Sequence, residues 1–155
     1  MEPEALMRLA IEKCRQGIAA GQSPFGCAIA RGDDLLACEH NTVAATCDAT
    51  AHAEVNALRA AGRREGSSRL PGVTVAATCE PCPMCMAALH FAGVEKVYFG
   101  ASVEDAKAAG FKELQLPAKD LVAAGGNTVK LMPRLLPEES ANLFAEWKQA
   151  RQAKS

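Results

Sequence analysis

The sequence has no excess of charge of one sign: 17 Lys and Arg stand against 18 Asp and Glu, a formal charge of −1. That argues against a chain built chiefly to grip nucleic acid, which usually carries a basic excess. No apolar run approaches the roughly 20 residues that a membrane-spanning helix needs, so no span is expected. The acidic start, Met1-Glu2-Pro3-Glu4, is not a basic stretch leading into an apolar one. No leader is read there, and a cytoplasmic location is expected by default. Internal repeats and low-complexity linkers are also missing. What remains is 155 residues, 49% apolar and 23% charged, enough to bury a core without disulfide staples. One domain over residues 1–155 is expected. Cysteines are many for this length, seven in all, an odd number and unevenly spaced. In a reducing compartment such a set reads as buried thiols plus metal ligands, and not as a disulfide framework.

Apolar residues at helical spacing (Leu6, Leu9, Ala10, Ile18) predict a first helix over roughly residues 3–20. Gly21 to Pro24 breaks it. Residues 25–31 and 35–39 read as two strands around the turn Gly32-Asp33-Asp34, a hairpin. The small, Thr-rich residues 40–50 read as a loop. A helix follows from near Ala51 to about Arg64, then a strand over Val73 to Thr78. Pro81 is expected to open the next helix, which stops at Gly93. A strand over Val94 to Phe99, short helical pieces within 101–126, a last strand over Thr128 to Met132 and a terminal helix from Pro137 complete the order. Strands alternating with helices imply a layered α/β domain with a hairpin at one side of the sheet.

Two segments carry the chemistry: Thr50-Ala51-His52-Ala53-Glu54, and Thr78-Cys79-Glu80-Pro81-Cys82-Pro83-Met84-Cys85. Each lies at the start of a predicted helix. His52, Cys82 and Cys85 offer one imidazole and two thiolates, the ligand types zinc prefers. The i, i+3 spacing puts both sulfurs on one face of the first turn. Three protein ligands leave the fourth tetrahedral position open, which separates a catalytic zinc from a structural one. Zinc lowers the pKa of bound water to about 7. Glu54 beside that water is a natural proton shuttle. Cys79 extends the run to C-x-x-C-x-x-C, but no fourth cysteine followed by proline appears, so an iron–sulfur reading fails. Cys79 is expected to be a buried strand-end residue. Cys14, Cys27, Cys38 and Cys47 read as small core fillers, and His40 and His90 as structural or pocket residues. The charges from Arg59 to Glu65 read as a solvated helix face.

The pattern H-x-E followed by P-C-x-x-C resembles the cytidine-deaminase-like superfamily of zinc-dependent nucleobase deaminases. The resemblance covers nearly the whole chain, from Pro24-Phe25-Gly26 and Asn41 through the two metal segments to Gly100. It implies a three-layer α/β/α sandwich with a five-stranded mixed sheet, Zn2+ held by His52, Cys82 and Cys85, and catalysis by Glu54. It also implies a homodimer, in some members with exchange of C-terminal segments.

Glu80-Pro81-Cys82-Pro83-Met84-Cys85 is most similar to the purine branch, which comprises guanine deaminases and transfer-RNA adenosine deaminases. Asp105-Ala106-Lys107-Ala108-Ala109-Gly110-Phe111-Lys112-Glu113 resembles the guanine deaminase pattern D-A-x-x-A-G-F-x-D/E. There the final acid, Glu113 here, helps move protons to the leaving amine. By the same resemblance Asn41 hydrogen-bonds the purine, Phe25 packs near it, and Phe91 stands where an aromatic, often Trp, contacts the base. The terminal helix with Phe144 and Trp147 resembles a tail that closes the pocket; plain core packing is the alternative. The expected function is deamination of guanine to xanthine and ammonia, with a small-molecule partner and no nucleic acid or membrane. Three alternatives stand beside it: a transfer-RNA adenosine deaminase, a deaminase of another aminated ring such as cytosine or a triazine, and an idle zinc-binding interaction module.

Overall fold

The computed structural model of the chain describes residues 1–126 and 128–154. Helix α1 (Pro3–Ala19) carries Pro3 at its first position, where the missing N–H costs nothing. Strands β1 (Gly26–Arg31) and β2 (Asp34–His40) pair antiparallel around Gly32, whose φ of 58° suits the tight turn. Within the segment expected to be a loop lies one extra turn of helix, α2 (Val43–Thr46). It buries no residue, so no apolar period announces it in the sequence. Cys47 closes it with φ 51° and is exposed, which corrects its reading as a core filler. Cys14 and Cys27 are buried as expected, and Cys38 is half-buried.

Then follow α3 (Ala53–Glu65), β3 (Thr74–Cys79), α4 (Pro83–Ala92), β4 (Lys96–Ala101), α5 (Val103–Ala108), α6 (Ala118–Gly125), β5 (Lys130–Met132) and α7 (Pro137–Ala153). Helix α4 opens at Pro83 and not at Pro81, so Cys82 takes the N-cap position instead of lying within the first turn. Either proline could serve at a helix start. The second keeps Cys82 extended (ψ 169°), with Cys85 on the third helical residue.

The sheet order is β2-β1-β3-β4-β5, with β1 antiparallel to both neighbours and β3, β4 and β5 parallel. Alternation along the strands divides the core in two. Cys27, Ile29, Val75 and Val97 face one apolar cluster with Ala57 and Ala61 of α3, Met86 and Leu89 of α4, and Ala118 of α6. Ala28, Ala30 and Ala76 face the other, with Leu6, Met7, Ile11 and Cys14 of α1 and Leu143 of α7. The expected three-layer mixed sheet is therefore present. Alanines on the α1 side allow close approach, and a Cβ on Gly26 would lie 2.2 Å from the Ala10 carbonyl oxygen. Helix α7 packs on its own chain, through Leu143 and through an Arg15–Glu146 ion pair at 3.0 Å. The carboxyl ends of β3 and β4 meet the N-termini of α3, α4 and α5, and open α/β sheets form their clefts at strand ends of this kind.

Candidate functional site

His52 stands at the N-cap of α3 and Cys82 at the N-cap of α4, both in extended backbone and neither capping its own helix. Their side chains are thus free to meet in front of the two helices. The Nδ1 of His52 lies 3.6 Å from the Cys82 sulfur and 3.5 Å from the Cys85 sulfur. All three ligand atoms fall within 4.8 Å of one another. Zinc bonds of about 2.3 Å to sulfur and 2.0–2.1 Å to nitrogen, at the tetrahedral angle, separate S from N by about 3.6 Å. Donor types and spacing both fit zinc. Cys79 is not one of this group: its sulfur faces the Ser102 carbonyl oxygen at 3.6 Å, and burial pushes its thiol up.

The electrostatics single out Cys82. A hydrogen bond from Cys85 pulls its thiol down to about 4, helped by His52 and opposed by burial. Cys85 moves the other way, because it holds the shared proton next to the Cys82 sulfur and is buried. The separate hydrogen bond between His52 and Cys82 raises His52. Facing helix N-termini add partial positive charge, which favours thiolates here.

Glu54 lies in the first turn of α3, 7% exposed, with its Oε2 3.4 Å from the Cys85 sulfur. Burial pushes its carboxyl up to about 7. A carboxyl near neutrality can both take and return a proton at working pH. Glu113, on the segment between α5 and α6, lines the same cleft half-buried and has no side-chain partner among the described residues. Burial raises its pKa, and the nearby Cys82 charge adds to the shift. Asn41 is buried at the cleft wall, with its Oδ1 accepting from the Val43 N–H. That fixes the side chain and turns its NH2 group, which has no partner among the described residues, toward the cleft. Phe25 completes this wall, packed edge-on against Phe111 at 5.1 Å and Phe144 at 5.9 Å.

The structure thus gathers Phe25, Asn41, His52, Glu54, Cys82 and Glu113 around one cleft, with Cys85 behind them. Phe91 and Trp147 do not join them. Phe91 is 72% exposed at the far end of α4, beside His90, and does not line the cleft of its own chain. His90 is exposed there and lines a separate shallow hollow with Ala87, Leu121 and Gly125, away from the cleft. Trp147 lines a separate hollow with Ile18, Gln22 and Ala150. Its ring packs on Phe111 at 4.8 Å, and Phe144 of the same helix packs on Phe25, so within this chain α7 backs the cleft wall. Both are apolar residues on helices, and period alone does not tell which surface such a stripe covers. His40 is structural, packed on Gly17 with its Nδ1 2.8 Å from the Asn41 carbonyl oxygen.

Other residues were missed from the sequence. Asn56 donates to the carbonyls of His40 and Ala51 and to the Thr42 hydroxyl, holding the segment before His52 onto α3. Leu114 and Leu116 line the cleft mouth. Glu80 accepts from the backbone of two helices that follow it in the chain. Its only signal was a charge within an otherwise small, apolar motif.

Comparison with known proteins bears on this site. The family model for the cytidine and deoxycytidylate deaminase zinc-binding region matches residues 1–101. The guanine deaminase of Bacillus subtilis is 35% identical over 127 residues, 77% of this chain and 81% of that one. The tRNA-specific adenosine deaminase of Aquifex aeolicus is 35% identical over 101 residues, 65% of this chain and 67% of that one. The solved guanine deaminase from Nitrosomonas europaea superposes with a TM-score of 0.87 at 28% identity, covering 96% of this chain and 85% of that one.

Proposed function

This chain belongs to the cytidine and deoxycytidylate deaminase zinc-binding family, and we infer that within it the protein converts guanine and water to xanthine and ammonia. It is a zinc-dependent hydrolytic deaminase. The observation that carries the choice of guanine is Glu113: a second, unpartnered carboxylate facing the same cleft as Glu54, on a segment that resembles the guanine deaminases. The similarity to guanine deaminases in sequence and in fold supports the same reading.

Zinc held by His52, Cys82 and Cys85 would supply the Lewis acid that makes water nucleophilic at neutral pH. The remaining work falls to side chains. Glu54 takes the proton of the attacking water as oxygen adds to C2 of guanine, and returns it to a ring nitrogen. Phe25 and Asn41 hold the ring, the first by packing and the second by an N–H donated to a ring acceptor. Glu113, or Glu54 itself, then takes the proton of the new C2 hydroxyl and passes it to the exocyclic amine, so that the C2 carbonyl forms as the C2–N bond breaks and ammonia departs. Two acids of different surroundings allow one to act on the ring and the other on the leaving group.

A transfer-RNA adenosine deaminase is the second reading, favoured by the Aquifex relative. The balanced charge and Glu113 favour the first. Ammonia release by zinc-loaded protein decides between them, measured on guanine, adenine, cytosine, cytidine, ammeline and a transfer-RNA anticodon stem. Guanine alone should turn over. Turnover of the RNA alone, with salt-dependent affinity, would replace this reading with the second.

The reading extends to a cytoplasmic homodimer in purine metabolism. Support for a dimer comes from Phe91, the most exposed large apolar side chain among the described residues, beside Leu58, Ala88 and Ala92.

A further inference from the structure

Glu80 lies between the strand that ends at Cys79 and the N-cap Cys82, and it lines the cleft. Its carboxylate is nevertheless committed to the backbone. One oxygen accepts from the Val103 N–H at 3.2 Å, the other from the Ala118 N–H at 2.8 Å. Val103 is the first residue of α5 and Ala118 the first of α6. First-turn N–H groups of a helix have no partner within it, and both residues are buried. Helix α5 has its own cap, a reciprocal bond pair between Ser102 and Asp105. Helix α6 has none, since Pro117 holds its N-cap. Glu80 therefore acts as a cap from a distance and clamps both ends of the segment running from 103 to 118.

Glu113 sits inside that clamp. On its N-terminal side Phe111 is fixed in the aromatic cluster with Phe25, Phe144 and Trp147. Beyond Phe111 the chain is irregular. Among the described residues, its one side-chain bond before α6 runs from Gln115 to the Glu113 carbonyl. Neighbouring Leu114 is 67% exposed, so core packing does not hold this stretch either. The next fixed point after Phe111 is Ala118, held by Glu80.

We propose that Glu80 is a positioning residue for Glu113: it touches no reacting atom, and by clamping the starts of α5 and α6 it sets where the second carboxylate meets the substrate. This rests on the reading of the cleft given above. Each Glu80 oxygen already accepts a backbone N–H, which commits the carboxylate to holding the two helix starts.

The test uses Glu80→Gln, Glu113→Gln and the double variant of the full, zinc-loaded chain. An amide offers one oxygen where the carboxylate offered two, so one clamp bond is lost. Zinc content should stay at one equivalent. Hydrogen exchange across residues 109–118 should accelerate, while β3 and α1 keep their protection. The kcat on guanine should fall about 10–100-fold, the usual cost of removing an outer supporting partner, with KM nearly unchanged. With Glu113 already replaced, Glu80→Gln should add almost no further loss. Equal losses in both backgrounds would overturn the proposal, because Glu80 would then act independently of Glu113. Loss of zinc or unchanged exchange in that segment would overturn it as well. Exchange needs no substrate. If guanine does not turn over, only the reading of the substrate fails, and the same cycle is run on the base from the panel that does.

Discussion

At the scale of the residue, the site assigns different work to side chains of one chemical type. Cys82 is drawn down to about 4 by its neighbours, whereas Cys79, three residues earlier, is pushed up by burial and faces a carbonyl. The two substitutions should therefore part company. Cys82→Ala should purify with well under one equivalent of zinc by elemental analysis, and Cys79→Ala with a full equivalent. Glu54 is close to the trio without being in it. Glu54→Ala should keep its zinc and lose about 10²-fold or more in kcat, the usual worth of a positioned acid–base group. A variant that binds zinc and stays active would remove Glu54 from its role. The candidate metal group and the acid beside it were legible in the sequence, because ligand type and spacing of a few residues are local facts. Phe91 was not. An aromatic on a helix presents a face, and nothing within the helix says what covers that face.

At the scale of the element, β4 and α7 meet more closely than any other pair that a glycine reports. A Cβ on Gly100 would lie 2.0 Å from the Ser140 Oγ and 2.9 Å from the Leu135 carbonyl oxygen. Gly100→Ala should therefore destabilise the fold by about 1–3 kcal/mol, the range for overpacking a core, read as a lower denaturant midpoint. Ser140 itself is 1% exposed and its hydroxyl has no partner among the described residues. An unpaired buried hydroxyl carries an uncompensated desolvation cost, so Ser140→Ala should leave stability unchanged or raise it by up to about 1 kcal/mol. The order of strands and helices was readable from period and breakers. The turn α2 and the start of α4 were not, since the first buries nothing and the second offered two prolines to choose between.

At the scale of the whole molecule, the buried thiols couple folding to pH. Burial pushes Cys14 up to about 12 in the folded chain, from an ordinary value near 9. Burial likewise raises Cys38 to about 11. A thiol held neutral by folding contributes fully below pH 9 and loses that contribution as pH rises toward the folded value. Stability should thus fall between pH 9 and 12, approaching about 1.4 kcal/mol per pH unit for the buried Cys14, with half-buried Cys38 adding less. Chemical denaturation across that window checks it, and Cys14→Ala should flatten the slope. The proposed dimer is tested on the opposite side of the sheet from Cys14. Phe91→Asp should shift the protein to monomer in light scattering while leaving zinc bound. A wild-type chain that is already monomeric would remove the dimer from the reading.

The sequence by itself determined the metal ligands, the adjacent acid and the alternation of elements that makes a layered sheet. Each of these is written in spacings of two to four residues, or in the period of one element. Only the tertiary structure decided what meets across elements. It turned Phe91 outward, placed Trp147 behind Phe111, and joined Glu80 to the starts of two later helices. The reason is physical: a side chain's direction is fixed by its own backbone, but its partner is fixed by how distant elements pack, and that packing is a property of the whole core.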